Sequence, residues 1–302
     1  MKITITGASG FVGQNLSTYL KKNHLNIQEL SLRDNDWKSS FNKNTDVIIH
    51  LAGKAHDLEN TSEEAEYFKI NRDLTIQLFQ EFLKSEAKDF FYFSSVKAVA
   101  DTADEVVNEE IKPNPLTPYG KSKYEAEQYL LAQQLSEGKR LFIIRPCMIH
   151  GPGNKGNLNL LYKVVEKGIP WPLSKFENQR SFLSIDNLSY LIHEMLLNKE
   201  VISGVYNFAD DQSLSTNQLI VAMNKALDRK AKFLSIPKGL IEKVAKCGDV
   251  INFPLNSERL KKLTESYVVS NQKIKSALNI KQLPLSTEEG IIKTIKSFKI
   301  GS

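Results

Sequence analysis

The sequence predicts an α/β fold in which a doubly wound parallel sheet is followed by a smaller, mostly helical C-terminal lobe. Through about the first 150 residues, short apolar runs of strand length alternate with amphipathic stretches of helical length. A glycine-rich turn follows the first apolar run. Beyond Gly151, prolines and glycines cluster and helical patterns dominate. Continuous apolar strands separated by helices are typical of a parallel sheet that is covered on both faces.

The predicted elements follow one another in a regular order. Strands are expected at residues 2–6, 27–32, 46–51, 90–93 and 141–144, with one further strand at 205–208. Helical patterns cover residues 11–20, 63–85 and 119–136. Because crossovers between parallel strands are right-handed, this order places helices on both faces of one sheet. We therefore expect a first domain at 1–150, with a segment at about 180–210 returning to it, and a second lobe at 151–302.

Composition excludes several classes of protein. Of the 302 residues, 41% are hydrophobic and 25% are charged, as in an ordinary globular protein. The net charge of +5 is spread along the chain, so we expect no nucleic-acid partner, although a small anionic ligand would suit it. Neither cysteine lies in a motif and no histidines stand at metal-ligand spacing, so the sequence predicts neither disulfides nor a metal site.

Nothing in the sequence predicts membrane insertion or export. No apolar run approaches the ~18 residues that a membrane span requires. The chain begins with the strand predicted at 2–6, without the charged and apolar regions of a signal peptide. We therefore expect a cytoplasmic protein.

A glycine-rich turn joins the first predicted strand to the first predicted helix. Such a turn lets the pyrophosphate of a dinucleotide approach the backbone and the free N–H groups at the helix N-terminus. A purely structural turn also uses glycine, but this position in an α/β pattern favours a Rossmann dinucleotide-binding domain at 1–150, with a substrate-binding lobe at 151–302. The predicted cofactor contacts in the turn are Gly7, Ser9, Gly10, Phe11, Val12 and Gly13.

The end of the second predicted strand bears on the choice of cofactor. An acidic side chain at this place binds the ribose 2′-hydroxyl of NAD, whereas an arginine accommodates the 2′-phosphate of NADP. The place falls near Ser31, two residues before Arg33. A hydroxyl followed by an arginine favours NADP(H) over NAD(H). Asp34 can still bind the ribose 2′-hydroxyl of NAD, and Arg33 can equally be a solvated charge in a loop.

Three side chains that are distant in sequence form a candidate acid–base group. Tyr119 and Lys123 are four residues apart and therefore lie on one helical face. A lysine near a phenol, together with a positive nicotinamide ring, lowers the phenol pKa from ~10 and allows proton exchange near neutral pH. Ser95 follows the strand at 90–93, at the carboxyl edge where α/β sheets bind ligands. We choose Ser95 over Ser94, which can simply cap the strand, and predict Ser95, Tyr119 and Lys123 as catalytic residues.

This ordered combination resembles the extended short-chain dehydrogenase/reductase superfamily, in its nucleotide-sugar epimerase/dehydratase branch. The resemblance covers nearly the whole chain. The family's glycine motif and its catalytic Ser/Thr, Tyr and Lys fall on the residues named above. Further family elements match His50-Leu51-Ala52-Gly53, Asn71, Arg145-Pro146, Gly151-Pro152-Gly153 and the stretch from Arg180 to Asp186.

The resemblance implies further roles in binding cofactor and substrate. Arg180 matches the family arginine that holds the diphosphate of a nucleotide sugar, and a guanidinium suits this task because it binds phosphate through two parallel hydrogen bonds. Asn157 is a second candidate for this contact, and Asp186 is expected to cap a helix. The implied substrate is a nucleotide sugar, with UDP as the nucleotide. The additional cofactor contacts that it implies are Leu51, Ala52, Gly53, Asn71, Ser94 and Pro146.

Two departures from the family pattern narrow the expected reaction. Sugar dehydratases of this family have an Asp-Glu pair directly after the serine or threonine, where this chain has Val96 and Lys97. Dehydration is therefore not expected. The Tyr-Gly that usually follows the serine in 4-epimerases is also missing, which together with Ser31 and Arg33 favours an NADPH-dependent 4-ketoreductase of surface-polysaccharide sugar synthesis. A UDP-hexose or UDP-N-acetylhexosamine 4-epimerase with tightly bound NAD is the alternative.

Two further expectations concern turnover and assembly. A cofactor-binding regulator that has lost turnover is a function of another class, and the intact group of Ser95, Tyr119 and Lys123 argues against it. Family members commonly dimerise through two helices, which in this chain begin near Glu63 and Tyr119. The resemblance therefore implies a homodimer.

Overall fold

The described part of the chain comprises residues 1–55, 63–154, 157–251 and 255–300 of a computed structural model. Its strands are β1 (Lys2–Thr6), β2 (Asn26–Leu30), β3 (Val47–His50), β4 (Asp89–Phe93), β5 (Arg140–Pro146), β6 (Met148–His150), β7 (Phe182–Ser184) and β8 (Gly204–Phe208). Its helices are α1 (Phe11–Lys22), α2 (Glu64–Tyr67), α3 (Leu74–Leu83), α4 (Pro118–Leu131), α5 (Asn157–Glu166), α6 (Ile185–Leu197), α7 (Thr216–Ala226), α8 (Lys238–Ile251), α9 (Ser257–Thr264), α10 (Gln272–Leu278) and α11 (Thr287–Ile300).

The main sheet is parallel and has the strand order β2-β1-β3-β4-β5-β8. The chain first moves outward from β1 to β2 and then in the opposite direction from β3, so the strand order reverses between β1 and β3. Ligands of doubly wound sheets bind at such a reversal, beyond the carboxyl ends of the strands. The predicted doubly wound α/β fold with a mostly helical C-terminal part is confirmed.

Apolar side chains cover both faces of this sheet. On one face, Ile5 of β1 packs in a buried cluster with Leu16 of α1 and Leu188 of α6. On the other face, Phe90 of β4 packs in a second cluster with Phe82 of α3. Full burial of one such side chain stabilises the fold by about 1.5–3 kcal/mol, which is why these strands appear in the sequence as continuous apolar runs.

The carboxyl ends of the central strands meet at one edge of the sheet. Thr6 of β1 is opposite His50 of β3, and His50 is opposite Tyr92 of β4. In the same way Phe93 of β4 is opposite Ile144 of β5. The segments that follow these positions, including the glycine turn, therefore lie side by side.

Several predicted elements have different bounds from those observed, and three of them differ at their ends or in continuity as follows. The helix predicted at 63–85 is interrupted by a π-helical turn, Phe68–Asp73, between α2 and α3. The helix predicted at 119–136 ends at Leu131, and the strand predicted at 27–32 ends at Leu30. Apolar periodicity does not reveal a π turn, because one extra residue per turn changes the pattern only locally.

The helix cap predicted at Asp186 is wrong. Ser184 caps α6, since its hydroxyl accepts a hydrogen bond from the backbone N of Asn187 at 3.1 Å. Asp186 lies inside the first turn and forms an ion pair with Lys293 at 2.7 Å. A carboxylate there stabilises the helix through its dipole rather than as a cap.

The C-terminal lobe has its own apolar cluster, in which Met223 of α7 packs with Ile291 and Ile295 of α11. Strand β8 comes from the second half of the chain but pairs with β5 in the main sheet. The boundary at residue 150 stays a prediction. In the ranges that the structure describes, no helix combines the length and the apolar character needed to cross a bilayer.

Candidate active site

The glycine turn between β1 and α1 is packed too closely for side chains at two of its positions. A Cβ atom at Gly7 would lie 2.5 Å from the backbone N of Ala52, and Gly7 also has a φ of +70°. A Cβ atom at Gly13 would overlap the carbonyl oxygen of Gly7. Both glycines are therefore needed for α1 and the end of β3 to approach the turn.

Gly10 plays a different part, because it leaves the N-terminus of α1 open. It is the exposed N-cap residue, and a Cβ atom there would be 3.3 Å from the carbonyl oxygen of Gly7. Among the described residues, no side chain caps α1 and no acidic residue lies in its first turn. The first-turn N–H groups, beginning at Phe11 and Val12, can therefore bind an anion such as a pyrophosphate.

The segment after β2 has no carboxylate before Asp34. Ser31 and Arg33 are exposed, and the Ser31 hydroxyl accepts a hydrogen bond from the backbone N of Arg33 at 3.4 Å. Within the described ranges, the guanidinium of Arg33 forms no ion pair. An acidic recess of about 360 Å³ at the outer edge of β2 includes Ser31, Glu29, Asp34 and Asp36 but not Arg33. Its carboxylates disfavour a phosphate inside the recess, so a 2′-phosphate would have to bind on the side of Arg33.

His50, at the end of β3, is a structural residue. It is fully buried, with Nδ1 2.7 Å from Thr6 Oγ1 and Nε2 2.9 Å from Thr75 Oγ1. Burial lowers the pKa of His50 to about 3, so the ring is neutral. With both ring nitrogens occupied, His50 joins β1, β3 and α3. In the part of the chain described here, no three His, Cys, Asp or Glu side chains are grouped to hold a metal ion.

Asn71, in the π-helical turn, fixes the segment that follows β3. Its Oδ1 accepts a hydrogen bond from Lys54 N at 2.8 Å, and its Nδ2 donates to Lys54 O and to Ser122 Oγ, both at 3.1 Å. A Cβ atom at Gly53 would be 2.9 Å from Asn71 Oδ1 and 3.1 Å from Lys123 Nζ. The backbone at Gly53 therefore packs directly against the predicted acid–base group.

Tyr119 and Ser95 meet at the carboxyl edge of the sheet, where their side chains share a hydrogen bond. Tyr119 lies in the first turn of α4, which is capped by Thr117 through a hydrogen bond from Gly120 N to Thr117 Oγ1 at 3.2 Å. Burial raises the pKa of Tyr119, and the hydrogen bond with Ser95 opposes this rise. The phenol is therefore protonated at neutral pH.

Lys123 lies one helical turn beyond Tyr119 and is buried. Its Nζ donates to the carbonyl oxygen of Phe93 at 2.9 Å and lies 5.0 Å from the ring centre of Tyr92. Burial lowers the pKa of Lys123 to about 8, while the carboxylate of Glu127 opposes this lowering. An ammonium group has three donors, so Lys123 can also bind ribose hydroxyls.

These residues line one cleft of about 270 Å³. The lining includes eight residues that the sequence analysis assigned to the site: Val12, Leu51, Gly53, Ser94, Ser95, Tyr119, Lys123 and Pro146. It also includes residues that the sequence analysis missed: Lys54, Ala55, Phe93, Cys147 and Ile149. Lys54 and Cys147 directly follow predicted contacts, so extending two motifs by one residue would have found them. Burial raises the pKa of the Cys147 thiol, so this thiol is not a nucleophile.

The hydroxyl of Ser94 is buried in this cleft and has no hydrogen-bond partner among the described residues. A buried hydroxyl without a partner is unfavourable, and a polar group bound in the cleft would satisfy it. The open N-terminus of α1 offers an anion site at the other end of the same edge. Both features, with the tightly packed glycines, fit a nicotinamide dinucleotide that extends from the glycine turn to the cleft.

Arg180, which precedes β7, does not line this cleft. Its backbone pairs with Leu214 and Tyr267, and its guanidinium donates to the carbonyl oxygen of Lys262. No ion pair to Arg180 is formed within the described ranges. Asn157 begins α5, but its side chain lies outside the residues that the structure describes. Arg180 is therefore not brought directly to the predicted acid–base group.

The chain is similar to proteins of known activity. The model of the NAD dependent epimerase/dehydratase family matches residues 3–209. A UDP-glucose 4-epimerase from Vibrio cholerae is 29% identical over 98% of this chain and 95% of that protein. A GDP-6-deoxy-D-mannose reductase from Pseudomonas aeruginosa is 27% identical over 72% of this chain and 78% of that one.

Solved structures share the fold along its full length. The structure of RMD from Pseudomonas aeruginosa complexed with NADPH matches with a TM-score of 0.74 at 22% identity, over 98% of both chains. UDP-glucuronic acid 4-epimerase from Bacillus cereus in complex with NAD also matches with a TM-score of 0.74, at 18% identity and over 99% of both chains.

The family match spans β1 to β8 and thus includes the glycine turn and the cleft that contains Ser95, Tyr119 and Lys123. The chain therefore belongs to the NAD dependent epimerase/dehydratase family of the extended short-chain dehydrogenases/reductases, and it is an enzyme that uses a nicotinamide dinucleotide cofactor.

Proposed function

We propose that this enzyme is a cytoplasmic 4-ketoreductase, which uses NADPH to reduce the C4 carbonyl of a UDP-linked 4-keto-hexose in surface-polysaccharide sugar synthesis. The observation that carries this choice is the end of β2. Arg33 is exposed there, without an ion pair among the described residues, two positions after the hydroxyl of Ser31. Such a strand end supports binding of a 2′-phosphate, and NADPH is the cofactor of a net reduction.

The residues around the cleft are suited to bind each part of this cofactor. The first-turn N–H groups of α1, next to Ser9 and Gly10, would bind the pyrophosphate. Lys123 would bind the nicotinamide ribose, and the hydroxyl of Ser94 would donate to the nicotinamide end. Pro146 borders the same cleft. When bound, the cofactor supplies the hydride that reaches C4 of the sugar.

In this proposal, Tyr119 is the general acid. Because burial raises the pKa of Tyr119, the phenol begins the reaction with its proton, as a reduction requires. The hydroxyl of Ser95 donates a hydrogen bond to the carbonyl oxygen, and Tyr119 gives its proton to that oxygen as C4 gains a hydride. The ammonium of Lys123, one turn away, then stabilises the phenolate that remains.

The substrate is proposed to reach from the cleft toward the second lobe. Arg180 would bind the nucleotide diphosphate, with Asn157 as a further contact. Support comes from the guanidinium of Arg180, which forms no ion pair in the described part of the chain. UDP is proposed because the Vibrio cholerae relative acts, by its name, on UDP-glucose.

A 4-epimerase is the second candidate, and two observations favour it. The UDP-glucose 4-epimerase from Vibrio cholerae matches almost the whole chain. Asp34 follows Arg33 and can accept a hydrogen bond from the ribose 2′-hydroxyl of NAD. In an epimerase, Tyr119 would act first as a base, so its phenol would have to lose the proton that burial favours.

The two candidates differ in what they do to the cofactor. Purified protein and NADPH are incubated with one nucleotide sugar at a time, namely a UDP-4-keto-6-deoxy-hexose, UDP-glucose or UDP-N-acetylglucosamine. NADPH absorbance and sugar products are followed in each incubation. Consumption of NADPH with the keto-sugar alone supports the reductase. Isomerisation of UDP-glucose or UDP-N-acetylglucosamine without net cofactor change would overturn it in favour of the epimerase. No reaction with any substrate would support a cofactor-binding regulator.

We also propose a homodimer that is formed through the α2–α3 segment and α4. Leu131, at the end of α4, is 52% exposed and supports an apolar contact there. Light scattering of the purified protein, before and after Leu131→Asp, tests this assembly. A monomeric wild-type protein would exclude it.

A further inference from the structure

The loop after Ser95 carries a carboxylate, Asp101, that holds the start of the helix bearing Tyr119. Asp101 Oδ2 accepts hydrogen bonds from Leu116 N at 2.7 Å and from Thr117 N at 3.1 Å. Asp101 Oδ1 accepts a third from Thr117 Oγ1 at 2.9 Å. These backbone donors precede the first turn of α4, where no carbonyl of the helix can satisfy them.

A chain of two hydrogen bonds extends from Asp101 into the helix. Thr117 Oγ1, which donates to Asp101, also accepts from Gly120 N at 3.2 Å. Gly120 directly follows Tyr119, and a Cβ atom at Gly120 would overlap the carbonyl oxygen of Lys97. The first turn of α4 therefore packs directly on the loop that carries Asp101.

The loop is itself anchored from the second lobe. Lys97 Nζ donates to the carbonyl oxygen of Asp101 at 2.6 Å and lies 4.7 Å from the ring centre of Tyr267. The Tyr267 hydroxyl lies 3.1 Å from the carbonyl oxygen of Val96 and 2.7 Å from that of Ala100. With its backbone held at several points, Asp101 presents a fixed acceptor to α4.

We propose that Asp101 is a positioning residue, whose carboxylate fixes the start of α4 and thereby holds the Tyr119 phenol beside Ser95. For its effect on turnover, this inference rests on the proposed function. A reacting group displaced by about 1 Å loses about 10²-fold in rate. An ordinary helix cap affects stability, so a loss of turnover in the fully folded protein separates the two roles.

The kinetic test uses Asp101→Ala and Asp101→Asn, with Asp104→Asn as the matched control. Asp104 is an exposed carboxylate three residues further along the same loop. Asp101→Ala is expected to lower kcat by about 10–100-fold while KM and NADPH affinity change less than about twofold. The kcat of Asp101→Asn is expected to lie between those of wild type and Asp101→Ala, since the amide oxygen of asparagine keeps one acceptor. The kcat of Asp104→Asn is expected to match that of wild type.

A second readout does not depend on turnover. In protein labelled with carbon-13 tyrosine, the Cζ resonance of Tyr119 is identified by its loss in Tyr119→Phe. This resonance is expected to move in Asp101→Ala and to stay in place in Asp104→Asn. Should Asp101→Ala not fold, Thr117→Val removes the same link and leaves the carboxylate in place, with the same expected changes.

The outcomes distinguish the two proposals. If the wild-type protein turns over no nucleotide sugar but the Tyr119 resonance moves in Asp101→Ala, the proposed function fails and the positioning role stands. If the wild-type protein is active and both kcat and the resonance are unchanged in folded Asp101→Ala, the positioning role is overturned. Equal losses in Asp101→Ala and Asp104→Asn would also overturn it, because they would reflect the charge of the loop.

Discussion

Glu127 and Arg145 form a buried ion pair next to Lys123. Arg145 Nη2 lies 2.5 Å from Glu127 Oε2, and a second nitrogen, Nε, lies 3.0 Å from Glu127 Oε1. Glu127 is one helical turn beyond Lys123 on α4, whereas Arg145 precedes Pro146 at the end of β5. The pair therefore ties the helix that carries Tyr119 to the strand beside the cleft.

The first prediction is that Glu127→Gln strongly destabilises the fold. The substitution leaves the buried guanidinium of Arg145 without its counter-charge, which costs about 3–5 kcal/mol of unfolding free energy. Glu125→Gln is the control, because Glu125 pairs with Arg72 at 2.7 Å on the exposed side of the same helix. That pair is expected to contribute less than about 1 kcal/mol. Urea denaturation measures both, and equal losses would contradict the special role of the buried pair.

The second prediction concerns pH. Burial lowers the pKa of Lys123 from 10.5 to about 8, so the unfolded chain binds this proton more tightly than the folded protein does. The unfolding free energy therefore rises with pH between the two pKa values. Below pH ~8, Lys123 is charged in both the folded and the unfolded state, so the cost of burying its charge does not change with pH. Relative to Lys123→Met, the wild-type protein is expected to gain about 3 kcal/mol between pH ~7 and ~10.5 in urea denaturation.

Lys121→Met is the control for this titration. Lys121 is an exposed neighbour on α4, so its variant controls for the general effect of removing a lysine from this helix. A pH-independent difference for Lys123→Met would show that burial does not lower the pKa of Lys123.

The third prediction is that Tyr119→Phe lowers kcat by about 10²–10⁴-fold, because the phenol proton is lost from the reaction. Cofactor affinity is expected to stay near the wild-type value in fluorescence titrations, since the ring remains in place. Tyr124→Phe is the control, because it removes from the same helix a hydroxyl that accepts a hydrogen bond from Gln128 at 3.2 Å. Activity within about twofold of wild type in Tyr119→Phe would remove Tyr119 from the mechanism.

The fourth prediction is that Arg33→Ala weakens NADPH binding by about 10–100-fold and leaves NADH binding nearly unchanged. The reason is the loss of a charge-assisted hydrogen bond to the 2′-phosphate, which contributes about 1.5–3 kcal/mol. Lys38→Ala removes a nearby exposed positive charge and controls for the general electrostatic effect of losing such a charge. Calorimetric titration with both cofactors measures these affinities. Unchanged NADPH affinity in Arg33→Ala would contradict the prediction and favour NAD as the cofactor.

Sequence patterns predicted those features that depend on residues close together in the chain. The glycine turn and Tyr119 with Lys123 are local arrangements, and each has a recognisable spacing. The apolar strands are visible for the same reason. The carboxyl edge then brings Ser95 beside Tyr119, because parallel strands end on the same side.

Long-range polar contacts could not be predicted in this way. Asp101 caps the segment before α4 across a separation of 16 residues, and nothing in the spacing of Asp101 and Thr117 distinguishes it from a solvated charge. The π turn at Asn71 depends on hydrogen bonds to Lys54 and Ser122 that only the folded chain forms. Such contacts have no period in the sequence.

The fifth prediction separates the two uses of glycine in the turn. Gly13→Ala would place a methyl group against the carbonyl oxygen of Gly7 and against Ala8, so backbone atoms must move and the fold is expected to lose stability. At Gly10, the described atom that a methyl group would meet is the carbonyl oxygen of Gly7, at 3.3 Å. Gly10→Ala should therefore lower the melting temperature less than Gly13→Ala does, but it should weaken dinucleotide binding, because the methyl group occupies the space above the helix N-terminus.

Thermal unfolding and cofactor titration of both variants test this difference. A Gly10→Ala protein that binds NADPH and NADH as tightly as wild type would place the pyrophosphate away from the N-terminus of α1. Since the cleft of Ser95 and Tyr119 lies at the same edge of the sheet, that result would also remove the physical link between the glycine turn and the acid–base group.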